Sequence, residues 1–322
     1  MSGKTLSVGL IGTGWGRIHC GTFRAAGCEI KALLGTDERK VAKVAQEEGV
    51  EIATTDASRL DGCDIIVIAS PTASHLDYLQ RFKHKAVFCE KPLSHRPLAH
   101  DELSSLSGFV NYAFPFLEST RAVEALLDEG RLGTVERALL RVGVRFDANK
   151  DAAAWFHDVA SHPLSWLVHR FGAYSLQAFH VGPGPSSLGA VFVNGPQQLD
   201  VSLYRLPSNG LHIELDLVGE RAAVNLAGGF NPQTDWRFEP LRLDGQPVNG
   251  GEYDQGESIW YRANCRAVAN FCAVLRGELS AQDALAAGSF DLRKAALIEQ
   301  MLAPMLGSTP KHAETRRTDE RS

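Results

Sequence analysis

The chain has 322 residues, of which 44% are apolar and 22% charged. That length suits about two domains of ~150 residues each, large enough to build a core without disulfide or metal staples. With 33 basic and 38 acidic residues the net charge is −5, which excludes a general nucleic-acid binder, since that needs a basic stripe.

Taken in chain order, residues 6–11 (LSVGLI) form a short apolar run that ends in Gly12-Thr13-Gly14-Trp15-Gly16. A helix-compatible stretch follows over residues 17–26. Further apolar runs fall at 28–34, 64–69, 86–89 and 109–113, with a charged helix predicted at 38–48. Continuous apolar strands spaced by helices predict a parallel sheet covered on both faces, the doubly wound α/β pattern. From Thr134 the pattern changes. A strand is expected over 135–146 and a helix over 155–171, then extended runs at 187–193, 199–206, 211–218 and 222–226. LDVSLYRL and LHIELDLV alternate with period 2, as half-covered antiparallel strands do. Pro-Ser-Asn-Gly at 207–210 reads as a hairpin turn between them. Two amphipathic helices close the pattern. One carries Trp260, Ala263, Ala267, Phe271 and Val274, the other Ile298, Met301, Leu302 and Met305. The expected division is a dinucleotide-binding domain over 1–116, an α+β domain over 117–306, and a polar tail over 307–322 that is expected to be disordered.

No run reaches the ~20 apolar residues of a membrane span, so no membrane partner is expected. The N-terminus lacks a signal-peptide cleavage site, and a cytoplasmic protein is expected. Six cysteines form no C-x-x-C pair, so reduced, buried thiols and no metal site are expected.

The glycine loop carries the first chemical signal. A tight turn between a strand and a helix lets the backbone approach a pyrophosphate, whose charge lies on the helix N-terminus. The spacing is G-x-G-x-G, through Gly12, Gly14 and Gly16, with Thr13 and Trp15 between them. The ribose position at the end of the second strand falls on Gly35 or Thr36 and carries no acid, with Arg39 and Lys40 just beyond. A hydroxyl and cations suit a 2′-phosphate, so NADP is favoured over NAD.

The segment VFCEKPL, after SPTASH and before a further helix, resembles the Gfo/Idh/MocA (glucose–fructose oxidoreductase / inositol dehydrogenase) family. So do IGTGWGRIH, EGRLGTVERALLRV and WFHDVASHPLSWLVHRFG, and the likeness runs over about residues 5–305. It implies a Rossmann domain followed by an α+β domain with a large, mainly antiparallel open sheet. It implies an NAD(P)-dependent oxidoreductase that moves hydride to or from a carbon of a sugar, cyclitol or related polyhydroxylated small molecule. It also implies a homodimer or higher homo-oligomer formed through that sheet, closed symmetry being the usual solution.

Residue by residue, Lys91 matches the lysine of the E-K-P motif beside nicotinamide and the reacting carbon. Asp158 and His162 match the acid–base pair. Their i, i+4 spacing puts both on one helix face, and a histidine can take a hydroxyl proton as hydride leaves. Asp158 could instead cap a helix start. Ser70, Pro71, His75 and Glu90 are further cofactor-cleft candidates. Asn111 and Tyr112, at the end of the fifth strand, form a second tier, while Tyr253, Trp260 and Tyr261 suit a sugar face and a core equally. Ala160 and Ser165 depart from the family helix, and the glycine loop is one residue short. That loop also resembles the thiazolinyl imine reductases, which leaves imine reduction as an alternative, alongside a non-catalytic dinucleotide-binding protein.

Overall fold

A computed structural model describes residues 5–145, 152–182, 187–252 and 256–306. The 307–322 tail and Tyr253 lie outside them, as does the last residue of the strand expected over 135–146.

The first strand β1 (Ser7–Ile11) and helix α1 (Arg17–Ala25) flank the glycine loop. Strand β2 (Glu29–Leu34) leads to α2 (Glu38–Glu48), whose first turn is capped by the Asp37 carboxylate accepting from the Lys40 amide at 2.8 Å. Gly49 ends α2 in the left-handed region, φ 63°. The remaining elements of this half are β3 (Ile52–Thr54), β4 (Ile65–Ile68), α3 (His75–Arg81), β5 (Ala86–Glu90), α4 (His100–Ser104) and β6 (Phe109–Asn111). The strands lie in the order β6-β5-β4-β1-β2-β3, all parallel. β4, wholly buried as Ile-Ile-Val-Ile, has both faces covered, which is why it shows no alternation. β3 is only three residues, two half-buried and Ala53 between them exposed, too short to register as an apolar run.

After α5 (Glu118–Asp128) the chain builds a second sheet from β7 (Val135–Val144), then α6 (Ala152–Phe171), β8 (Ser175–Val181), β9 (Ser187–Asn194), β10 (Gln197–Arg205), β11 (Leu211–Gly219), β12 (Ala223–Asn231), β13 (Asp235–Phe238) and the short β14 (Arg242–Leu243) and β15 (Gln246–Pro247). Its order is β15-β14-β12-β11-β7-β10-β9-β8, with β13 beside β12. All pairings are antiparallel except β7–β10. The 207–210 turn is therefore not a hairpin. β7 lies between β10 and β11, and the turn passes over its end, where the Leu206 amide donates to the Val144 carbonyl at 2.9 Å. Alternation identified both strands correctly, but their neighbour is a strand formed some 60 residues earlier.

The chain then returns to the first half through α7 (Ile259–Arg276), α8 (Ala281–Ala286), β16 (Phe290–Asp291) and α9 (Leu292–Leu306). α7 buries Val268, Phe271 and Cys272 in the core that holds Val8, Phe23 and Phe88. β16 pairs antiparallel with β6. The two sheets are thus joined by shared core, and the site lies where they meet. All six cysteines are free thiols, five of them buried. Among the described residues no helix is long and apolar enough to cross a membrane.

Candidate active site

Two neighbouring clefts share Trp15, Ala69 and Ser70 as walls. The first, of about 680 Å³, lies over the carboxyl ends of β1, β2 and β4, where open α/β sheets bind ligands. Gly12, Thr13, Gly14, Thr36, Lys40 and Pro71 line it. Gly12 has φ 120°, and a Cβ there would stand 2.3 Å from the Ala69 carbonyl oxygen, so the loop passes β4 at a distance only glycine allows. A Cβ on Gly14 would meet no protein atom within 4 Å. Packing does not demand glycine there, and the open space beside it leaves room for a ligand. Gly16 starts α1 with no side chain capping it and no acid in the first turn. An uncapped helix N-terminus behind a glycine cradle fits a pyrophosphate.

Gly16, Arg39, His75 and Glu90 do not line this first cleft. Gly16 packs against Ala69, where a Cβ would fall 2.9 Å from the alanine methyl. Arg39 is exposed on α2. His75 is 1% exposed, and its ring nitrogens face the Ser70 carbonyl at 2.8 Å and the Pro92 carbonyl at 3.0 Å. It ties two loops of the cleft together from behind. Burial lowers its pKa.

The second cleft, of about 380 Å³, opens between the sheets. Glu90 and Lys91 reach it from the end of β5, and Asp158, Val159 and His162 from α6. Lys91 Nζ donates to Asp158 Oδ1 at 2.7 Å and to the Asp158 carbonyl at 2.9 Å. Asp158 lies well inside α6, so it is not the residue that caps that helix. His162, one turn on, keeps its Nδ1 buried without a partner and sets its ring edge-on to Trp260, centroids 4.9 Å apart. Burial, together with the nearby Lys91 cation, pushes the His162 pKa well below the ordinary histidine value, so the ring is neutral. Ala160 is fully buried, and the Ser165 hydroxyl turns back to the His162 carbonyl at 2.6 Å. The two departures from the family helix therefore fall on its packed side.

Glu90 is 5% exposed at the base of this cleft. It accepts from Asn111 Nδ2 at 2.8 Å and lies 2.6 Å from His19 Nε2, while its other oxygen accepts the Lys91 amide at 3.2 Å. Burial works against the Glu90 carboxylate, yet the His19 and Asn111 hydrogen bonds hold its pKa below the usual value. Asn111 also donates to Asn264 on α7 at 2.7 Å. Tyr112 instead packs in the core against Phe290. Tyr261 lies outside both clefts against Gly21 of α1, whereas Trp260 lines the second cleft.

Three residues of this region carried no role in the sequence reading. His19 sits in the quoted IGTGWGRIH, on the buried face of α1. Asn264 comes from α7, and Trp236 from the unpredicted strand β13.

Comparison with known proteins agrees with this fold. The Gfo/Idh/MocA model, an oxidoreductase family with an NAD-binding Rossmann fold, matches residues 6–106. The inositol 2-dehydrogenase of Rhizobium meliloti is 29% identical over 146 residues, 41% of this chain and 43% of that protein. Over residues 6–106 the chain thus resembles the NAD-binding part of the Gfo/Idh/MocA family. The NADP(+)-dependent D-xylose 1-dehydrogenase of Haloarcula marismortui is 30% identical over 120 residues, 33% of each chain. The alignments thus span less than half the length of these two curated relatives. Across nearly the whole chain the fold matches a levoglucosan dehydrogenase solved with NADH and levoglucosan, at TM-score 0.73 and 14% identity, covering 94% of this chain and 98% of that one. In this chain, a Rossmann sheet and a mainly antiparallel sheet meet at the Lys91 cleft.

Proposed function

We propose that this protein is a member of the Gfo/Idh/MocA family, an NAD(P)-dependent oxidoreductase that transfers hydride between nicotinamide and a carbon of a sugar, cyclitol or related hydroxylated ring compound. The observation that carries the reading is the meeting of Lys91, Asp158 and His162 in a cleft that shares its wall with the glycine-loop cleft. Bound nicotinamide supplies the hydride acceptor or donor. Lys91 donates hydrogen bonds to the substrate oxygen and favours negative charge developing on it. Asp158 aims the lysine. His162, held neutral, has a lone pair to accept the hydroxyl proton, and returns it in the reverse direction.

NADP is the favoured form. Thr36 and Lys40 line the cleft beyond β2, while the Asp37 carboxylate is occupied in capping α2. The outer face of the second sheet, with its Arg137–Asp200 and Arg141–Asp216 pairs, is proposed to join copies into a homodimer or higher homo-oligomer, which light scattering tests. Six free thiols fit the reducing cytoplasm.

The experiment is nicotinamide absorbance followed with NADP and NAD against a panel of sugars and cyclitols. Cofactor-dependent turnover of at least one is expected. Activity confined to cyclic C=N compounds would favour imine reduction instead.

A further inference from the structure

The wall of the cleft that faces Lys91 is set by strand register. Val144 of β7 pairs with Leu211 of β11, Leu211 with Phe230 of β12, and Phe230 with Trp236 of β13. Four adjacent strands therefore present a single row, Val144–Leu211–Phe230–Trp236, with no polar residue in it. Residues in one cross-strand row share a face of the sheet, and three of these four line the cleft. Trp260 extends the wall from α7. Its ring stacks on Trp236 with centroids 4.4 Å apart and planes 10° from parallel. Trp15, 59% exposed, also lines the cleft. The polar lining residues, Ser70, Glu90, Lys91, Asp158 and His162, come from the ends of β4 and β5 and from α6.

From this division we infer that the substrate is amphipathic: a hydroxylated ring whose reacting carbon meets Lys91 and His162, carrying a flat aromatic group that packs on the Val144–Leu211–Trp236 wall, in other words an aryl glycoside. The inference rests on the oxidoreductase reading only for which end reacts. A hydroxyl turned toward this wall gives up its hydrogen bonds to water and gains none from the row. An aromatic ring gains burial and offset or edge-on contact with the tryptophans. A cleft of about 380 Å³ lies at the small end of ligand sites, which suits one sugar-sized ring with one aromatic ring.

The test separates binding from turnover. Isothermal titration of the full-length protein, saturated with the reduced nicotinamide dinucleotide it prefers, compares methyl and phenyl glycosides of glucose, galactose and xylose, with free myo-inositol alongside. At least one phenyl member is expected to bind about tenfold or more tighter than its methyl partner. Trp15→Ser, at an exposed position, should shrink that ratio several-fold. Trp260→Leu should do the same, with unchanged circular dichroism confirming its fold. Equal binding of the partners, no binding by any phenyl member, tighter binding of myo-inositol, or a ratio unmoved in both variants overturns the inference. Tight phenyl-glycoside binding without hydride transfer to any compound leaves this inference standing and overturns the oxidoreductase reading.

Discussion

Lys91 Nζ lies 2.7 Å from Asp158 Oδ1, joining the end of β5 to the interior of α6 across 67 positions of sequence. Asp158 is 52% exposed, so the pair adds little to stability. Its consequence is positional, because it fixes the lysine ammonium at the mouth of the cleft that His162 also lines.

Replacing Lys91 with Met should lower kcat by about 10²–10⁴-fold, the usual scale for losing a group that assists proton transfer. Dinucleotide affinity should stay within a few-fold, since Lys91 lies outside the glycine-loop cleft. Steady-state kinetics and a fluorescence titration of the reduced cofactor check both. A variant with unimpaired kcat removes Lys91 from the chemistry.

The two loop glycines should fail differently. Gly12→Ala forces a methyl into the Ala69 carbonyl from a positive φ and should destabilise the fold by more than about 1 kcal/mol. Gly14→Ala meets no protein atom, so its melting temperature should match the parent while dinucleotide affinity drops about tenfold or more. Thermal melts with and without cofactor separate the two.

Cofactor choice should follow Thr36 and Lys40. Lys40→Ala removes the cation that lines the cleft and should weaken NADPH by about 10- to 150-fold, the scale of one charge-assisted hydrogen bond of ~1.5–3 kcal/mol, with NADH nearly unchanged. Thr36→Asp should turn the preference toward NADH, an acid being suited to a ribose 2′-hydroxyl. Equal losses for both cofactors after Lys40→Ala would remove the NADP assignment.

Acid should weaken the fold through its buried histidines. Burial and the neighbouring Lys294 and Arg170 cations bring His169 from 6.5 down to about 4, and Lys294 donates to its Nδ1 at 2.8 Å. The unfolded chain therefore binds more protons than the folded one between those values, and stability falls as pH drops through that window. His75 and His162, also lowered, add to the same trend. Urea midpoints measured from pH 7.5 to 4.5 should decline, and His169→Gln should flatten the slope.

Glu299 should prove a structural keystone behind the site. Its carboxylate pairs with His157, both side chains 1% exposed, and accepts the Leu93 amide at 2.9 Å. Glu299→Ala leaves a buried imidazole and an amide without partners and should cost about 3–5 kcal/mol. Chemical denaturation of the two proteins gives the difference directly.

By itself the sequence determined the features written within a few neighbouring residues. The β1–Gly12–α1 turn, the buried parallel strands, Lys91 at the end of β5 and the shared helix face of Asp158 and His162 all follow from local periodicity, glycine placement and i, i+4 spacing. Even the alternation of β10 and β11 was legible, since a half-covered strand announces its buried face residue by residue. The tertiary structure alone decided what meets across long stretches of chain. It placed β7 between β10 and β11, turned His75 away from the cleft toward two backbone carbonyls, and bonded Glu90 to His19 and Asn111. It also aligned Val144, Leu211, Phe230 and Trp236 into one apolar wall. Strand order and register depend on where distant segments return. Each of those four residues looks like ordinary core in its own strand, and only their pairing sets Val144, Leu211 and Trp236 along one side of the cleft.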